Sequence, residues 1–475
     1  MSKRYDADVL IAGGGVVGAA MAAYLGKQGK KVIVVEKTLK EQDRIVGELL
    51  QPGGVIELHR MGLESALEGF DAAPVTGYAL YHQNEHFQVD YPLDPYFKPM
   101  AGRGFHNGKF ILALRKEFEN LDNVQIIEGA VREVLTHEST GEVYGLGYTP
   151  KGSKESVQLF APLTVVSDGC FSMFRKQFHM EEPFVRGWFM GLVLKNADLP
   201  YDKCGHVVIA DPSPFLCYPI SSTETRVLID YPGAEPPKRG PHLQKYLHEV
   251  ILPQMPESLK PSFKEAIESQ AVKVMPNQHL PCRPELKRGA VLVGDSLNMR
   301  HPLTGGGMTV ALTDVRILGE ALCNMRDFHD KQELDEVVEM FYQKRQKPNA
   351  TINILADALY GVMLNEDLKH ACFEYLQAGG NQASEPIAML SGLNRDRELL
   401  LRHFFAVAFH GMRKLLARPT TERVRRAYRM LNDAVRIIDP LLMHNAPDLT
   451  TKSALAVGRL LFPFELDGVP KQKSA

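Results

Sequence analysis

Apolar positions follow two periods along this chain, and at three places one gives way to the other across a glycine turn. Residues 8–12 form a short apolar run around Val9, Leu10 and Ile11, which predicts a buried parallel strand. Gly13, Gly14, Gly15, Val16, Val17 and Gly18 follow, and then Ala19, Ala20, Met21, Ala22, Ala23 and Leu25 predict a helix. Residues 30–36 read as a second strand that ends on Glu36, with Lys37 after it. A third run at 164–166 enters Ser167, Asp168 and Gly169, and its spacing predicts a following helix that carries Ser172 and Arg175. A fourth at 290–293 ends in Gly294 and Asp295. Beyond it lie Pro302, Gly305, Gly306 and Gly307, and a helix is predicted from Met308.

Between these places the pattern is different. Residues 75–91 alternate weakly and predict strands of a second, antiparallel layer that holds Tyr78. Four strand-like runs between 184 and 231 alternate with Pro and Asp turns and predict an antiparallel sheet, rich enough in aromatic and aliphatic residues to favour an apolar ligand. Helices are expected from about Val55 and from Phe110, and strands at 124–128 and 131–135. After Gly307 the chain reads as almost wholly helical. Residues 395–436 hold eleven Lys or Arg against four acids. There Leu401, Phe404, Phe405, Ala408, Met412, Leu415 and Leu416 recur at helical spacing, with Arg402, Arg413 and Lys414 near the other face. Such a helix either lies in a membrane interface or packs into a core with a solvated basic face. A further apolar helix is expected at 453–462 and a frayed tail at 469–475.

Composition narrows the classes. A chain of 475 residues implies two to three units. A net charge of −2 supplies no field for nucleic acid, so no nucleic-acid partner is expected. The six cysteines are scattered without paired spacing, which fits a reducing compartment and predicts no metal site. Residues 1–5 are polar and read as no signal peptide, and no run of about 18 apolar residues predicts a spanning helix.

The chemistry sits at the strand ends. Strand, Gly-x-Gly-x-x-Gly, helix, strand and acid form the dinucleotide-binding unit: Gly13 turns, Gly15 admits a pyrophosphate, Gly18 lets helix and strand close, and Glu36 takes ribose hydroxyls. This unit alone does not separate FAD from NAD. Asp168 and Gly169 are an ordinary turn or a second ligand loop, and Asp295 is a local cap or a third. Arg44 and Gln51 lie in a polar stretch that is a surface loop or a contact to phosphate and ring edge. Tyr78 is packing or chemistry, and Arg115 is solvated or faces a phosphate.

Taken together, residues 13–18, Asp168 with Gly169, and Gly294 with Asp295 resemble the three fingerprints of class A flavoprotein monooxygenases. Residues 44–54 and 298–312 are similar to the squalene epoxidase branch of that family. The resemblance implies an α/β (α+β) fold: a Rossmann-like FAD-binding domain, an inserted antiparallel-sheet substrate domain and a C-terminal helical membrane-associated region. It divides the chain into FAD-binding parts at 1–75, 106–182 and 281–330, substrate-domain parts at 76–105 and 183–280, and helices at 331–475. It implies cofactor contacts at Gly13, Gly15, Val16, Val17, Gly18, Glu36, Lys37, Arg44, Arg115, Asp168, Gly169 and Asp295, with Gly305, Gly306 and Met308 as a cradle. It implies an active-site pair, Tyr78 held near the flavin by Gln51, and no metal.

The implied reaction is FAD-dependent epoxidation of squalene by O2, in sterol biosynthesis. Electrons would come from NADPH through a separate NADPH-dependent microsomal cytochrome reductase, since no second Gly-x-Gly-x-x-Gly unit is present in the sequence. Attachment to the cytosolic face of the endoplasmic reticulum membrane, or to lipid droplets, would rest on the C-terminal helices, because the chain begins directly at the flavin fold. Two other readings stay open: a ring hydroxylase acting on a lipophilic aromatic such as a ubiquinone precursor, and a non-catalytic Rab-escort-like binding protein.

Overall fold

The structure is a computed structural model that describes residues 5–94, 96 and 98–449. The helix expected at 453–462 and the tail at 469–475 lie outside the described residues.

The chain runs through β1 (Val9–Ala12), α1 (Val16–Lys27), β2 (Val32–Glu36), β3 (Leu49–Leu50) and α2 (Pro52–Arg60). Next come β4 (Ala73–Val75), β5 (Gly77–His82), β6 (Glu85–Asp90), β7 (Gly102–Gly104) and α3 (Asn107–Lys116). Then follow β8 (Val124–Thr136), β9 (Val143–Pro150), β10 (Val157–Phe160), β11 (Leu163–Val166), β12 (Phe184–Lys195) and β13 (Cys204–Val208). After them stand β14 (Phe215–Pro219), β15 (Glu224–Pro232), α4 (Pro241–Tyr246), α5 (Lys260–Ser269), β16 (Lys273–His279) and β17 (Ala290–Leu292). The chain closes with α6 (Gly307–Cys323), α7 (Lys331–Lys344), α8 (Gln346–Met363), α9 (Glu366–Gln377), α10 (Asn381–Leu390), α11 (Arg397–Leu416) and α12 (Thr421–Asn445).

The first sheet has the order β10-β9-β8-β2-β1-β11-β17. Its five strands from β8 to β17 are parallel, and β1, β2, β11 and β17 are buried throughout, as their apolar runs require. Val9 pairs with both Val32 and Leu163, and Thr164 with Ala290. That register brings the carboxyl ends of β1, β11 and β17 side by side, and with them the three glycine turns. A crevice outside such strand ends is where a doubly wound sheet takes its ligand.

The second sheet has the order β16-β12-β15-β14-β13-β5-β6. It is not wholly antiparallel as expected, because β13 and β5 run parallel. β12 to β15 are consecutive in the sheet's stretch of chain, whereas β5 arrives from the N-terminal third and joins without a hairpin to fix its direction. Side chains alternate between two cores. Ala79, Phe215, Cys217, Val227 and Ile229 pack with α4 and α5 on one face. Tyr78, Leu216, Tyr218 and Leu228 pack with the C-terminal helices on the other.

Three local expectations change. α2 begins at Pro52, not near Val55, since Pro is pre-shaped for the first helical position. α3 begins a turn before Phe110, at Asn107 and Gly108, which carry no apolar signal. The expected helix with Ser172 and Arg175 is a loop, closed by one helical turn at Arg175–Gln177. Asp168 Oδ2 accepts from Met173 N at 2.9 Å and Ser172 Oγ accepts from Arg175 N at 3.0 Å. These side chains hold the loop's N–H groups ahead of that turn. Phe171 and Met173 stay exposed, so no apolar face draws a helix onto the core.

From Leu401 to Met412 the apolar stripe of α11 faces inward, and Leu416 at its end is exposed. Leu401 and Phe405 pack with Ile354 of α8 and Ile438 of α12, and Ala408 and Met412 with Met430 of α12. Of the two readings of that stripe, the core-packed one describes the geometry. Among the described residues no helix is long and apolar enough to cross a membrane.

Candidate functional site

The first strand-end loop is shaped by contacts that only glycine permits. Gly13 has φ +97°, and a Cβ there would lie 2.8 Å from Ser167 O. A Cβ on Gly18 would stand 1.9 Å from Gly13 O, so α1 could not close on β1. A Cβ on Gly15 would meet nothing within 4 Å: its place faces the open crevice at the N-terminus of α1. Glu36 Oε2 accepts from Gly14 N at 2.6 Å, and Oε1 from Thr38 N at 3.1 Å. Arg115 donates Nε and Nη2 to Gly14 O at 3.0 and 2.7 Å and lies 3.8 Å from Glu36. Burial lowers its pKa despite that carboxylate. Arg115 thus braces the glycine loop from behind.

The second and third loops are stapled together by one residue, Arg175. Its Nη2 donates to Gly169 O, Cys170 O and Asp295 O at 3.1, 2.9 and 3.0 Å, and its Nε to Ser296 O at 3.0 Å. Read from the sequence, Arg175 sits on a helix and has no such role. An arginine shortly after a strand-end glycine turn is the only signal there was. Asp168 is held at Met173, but its Oδ1 is buried without a protein partner, and burial raises the carboxyl's pKa. Arg44 Nη2 lies 3.6 Å from Cys170 Sγ.

Between the loops and the second sheet sits the pair of Gln51 and Tyr78. Gln51 caps α2, is fully buried, and donates Nε2 to Tyr78 Oη at 2.6 Å and to Thr304 O at 2.9 Å. Its Oε1 accepts from Tyr91 Oη at 2.8 Å, a third member that the sequence did not single out. Gly305 has φ +64°, and a Cβ there would be 3.1 Å from Gln51 Nε2.

One continuous cavity of about 1510 Å³, counting its open mouth, joins these parts. Gly15, Val16, Val17, Arg44, Gly169, Asp295, Gly305 and Met308 line its loop end. Tyr78 of β5 also lines it, and Leu49, Leu216, Leu228, Met275 and Leu303 line its sheet end. Gly13, Gly18, Glu36, Arg115, Asp168 and Gly306 shape the loops from outside that lining, and Lys37 is exposed. Arg300 Nε, Thr304 Oγ1, Asn277 Oδ1 and Gln278 Oε1 belong to lining residues and are buried without a partner. Unmet polar atoms on Arg300 and Thr304 beside the 305–307 glycines and on Asn277 and Gln278 of β16, with apolar side chains lining the sheet, suit a ligand that is polar at one end and a substrate that is not. A flavin dinucleotide meets that description. Among the described residues no group of His, Cys, Asp or Glu could hold a metal ion.

The sequence model of the squalene epoxidase family matches residues 160–427. Squalene epoxidase 3 of Arabidopsis thaliana is 44% identical over 445 residues, which cover 92% of this chain and 84% of that one. Squalene monooxygenase of Mus musculus is 41% identical over 413 residues, covering 85% and 71%. Among solved structures, a flavin-dependent brominase superposes with a TM-score of 0.66 at 15% identity, covering 85% of this chain and 98% of its own. The p-nitrophenol 4-monooxygenase of Pseudomonas putida does so with 0.61 at 20%, covering 84% and 98%. These two likenesses establish the fold.

Proposed function

We infer the reaction from the premise that this chain belongs to the squalene epoxidase family. It is an FAD-dependent monooxygenase that epoxidises squalene to (S)-2,3-oxidosqualene with O2, a step of sterol biosynthesis. The observation that carries this reading is the single cavity that runs from the open Gly15 cradle past Tyr78 to an apolar sheet face.

The chain's own residues have distinct tasks. The free N–H groups at the N-terminus of α1 bind the pyrophosphate, with Gly15 letting it approach. Glu36 takes the ribose, and Asp295 anchors the ribityl chain. Residues 305–307 offer backbone to the flavin, and Arg44 and Asp168 with Gly169 complete its site. FAD, when bound, supplies the oxygen-activating chemistry. Leu216, Leu228, Met275 and Leu303 hold the polyene and keep water away from the reacting end. Tyr78, held by Gln51, presents a polar group at the boundary between the two. The described residues thus divide into a cofactor unit on the parallel sheet, a substrate unit on the second sheet, and a helical cap.

Electrons come from NADPH through a separate reductase, because the sequence has no second glycine-rich nucleotide loop. The enzyme sits on the cytosolic face of the endoplasmic reticulum membrane and on lipid droplets through its C-terminal helices. Leu416, Val424 and Tyr428 are exposed there beside Arg423, Arg425 and Arg429. The decisive experiment incubates the enzyme with FAD, reductase, NADPH and squalene. Formation of 2,3-oxidosqualene is expected; unreacted squalene in the presence of active reductase refutes the assignment.

A further inference from the structure

The cavity wall that carries Tyr78 is backed by Tyr91, which follows β6 and has no part in the tasks above. Tyr91 is 3% exposed and its ring meets that of Tyr78 edge-on, with centroids 5.6 Å apart. Its hydroxyl donates to Gln51 Oε1. An amide can sit either way round, and here Thr304 decides between them. A carbonyl oxygen only accepts, so Gln51 must turn Nε2 toward Thr304 and Oε1 toward Tyr91. The same Nε2 reaches Tyr78 Oη, so Tyr78 is the acceptor in that contact. The proton of Tyr78 is then directed away from Gln51, and the residue lines the cavity. Burial raises the pKa of both phenols, so both keep their protons across the neutral range.

We propose that Tyr91 is a positioning residue: acting through the Gln51 amide, it keeps the hydroxyl of Tyr78 a donor toward the cavity. The proposal rests on the reaction assigned above. Without the Tyr91 hydroxyl, Gln51 Oε1 is buried and unpaired, a cost the site relieves by local rearrangement. Tyr78 is the hydroxyl already in contact with that amide. Thr304 O keeps Nε2 in place, so the amide does not turn; Tyr78 instead swings its proton from the cavity to the freed Oε1.

Two readouts test this. In FAD-loaded enzyme labelled with ¹⁵N-glutamine, Tyr91→Phe should move the side-chain amide resonances of Gln51, identified by their loss in Gln51→Leu. Unmoved resonances overturn the proposal whatever the substrate proves to be. In squalene turnover, Tyr91→Phe should lower kcat about tenfold, the equivalent of one hydrogen bond. KM and flavin content should stay near wild type. In a Tyr78→Phe background the same substitution should change nothing further, because Tyr91 acts only through that hydroxyl. An equal drop in both backgrounds overturns the idea and assigns Tyr91 to packing. Should Tyr91→Phe fail to fold, Gln51→Leu interrupts the same link, and a further loss when it is added to Tyr78→Phe counts against the proposal in the same way. Wild-type enzyme inert toward squalene would sink the assigned reaction alone, and the amide resonances would still decide the role of Tyr91.

Discussion

At the loop end of the cavity the site is made of backbone, and at the sheet end it is made of side chains. Gly13, Gly15 and Gly305 matter for what they lack, and the neighbours that confine Gly13 and Gly18 are main-chain atoms. At the other end Leu216, Tyr218 and Leu228 matter for what they fill, and the next residue along each strand serves a different core. Backbone constraints tolerate almost no change and leave a mark in the sequence. Side-chain walls tolerate exchange and leave only an alternation. The two ends should therefore fail in different ways.

The largest effect is expected within the glycine loop itself. Gly18→Ala places a methyl group where Gly13 O stands and should destabilise the protein by about 3 kcal/mol or more, seen as a lower melting temperature with or without FAD. Gly15→Ala has room for its methyl group and should leave the FAD-free protein as stable as wild type while weakening FAD binding. Equal melting losses in the two variants would break the distinction between a packing glycine and a cradle glycine.

Asp295→Ala comes next. It removes a cavity-lining carboxylate while the Arg175 staple, which grips main-chain oxygens, remains. The loops should keep their shape and the purified protein should lose its yellow colour. Wild-type flavin occupancy would remove Asp295 from the cofactor site.

At the sheet end, neighbouring residues of β15 should separate two quantities. Val227 faces the core under α5, so Val227→Ala should cost about 2 kcal/mol of stability and leave the KM for squalene unchanged. Leu228 lines the cavity, so Leu228→Ala should raise that KM roughly tenfold at a smaller cost in stability. Matching changes in both variants would mean that this face is ordinary core.

The same contrast sets how much could be read in advance. The three turns are legible because a glycine pattern between a strand and a helix has few other causes, and residues 298–312 carry the family resemblance. The alternation of β14 and β15 predicts a sheet, yet it cannot tell which face is core and which is pocket, since both want the same residues. Tyr91 and Arg175 were invisible as partners because their contacts are long-range: Tyr91 reaches back to Gln51, and Arg175 reaches forward to Asp295. The α11 stripe shows the same limit. Its spacing fits a membrane face or a core face, and the packing of Leu401 to Met412 on α8 and α12 is long-range and leaves no mark in the spacing.

The effect that is smallest at neutral pH, where nothing is lost, is on acid stability, and here the two ends carry opposite signs. His206 lies on β13, with Nδ1 donating to Cys204 O at 3.1 Å and Nε2 accepting from Tyr201 N at 3.3 Å. Burial pushes its pKa down to about 4 from the ordinary 6.5. The folded protein therefore keeps the ring neutral while the unfolded chain takes up a proton. The stability tied to this histidine is complete above the ordinary value, falls as the pH drops through the window down to about 4, and is flat below. Within the window the slope is at most about 1.4 kcal/mol per pH unit. At the loop end Asp168 is raised by burial, so its ionisation costs the folded state, and acidification relieves that cost as the carboxyl protonates. Urea midpoints of the FAD-free protein across the acid range should shallow in His206→Gln and steepen in Asp168→Asn. Two unchanged profiles would show that neither burial is felt in the folded state, and two changes of the same sign would refute the opposition between the ends.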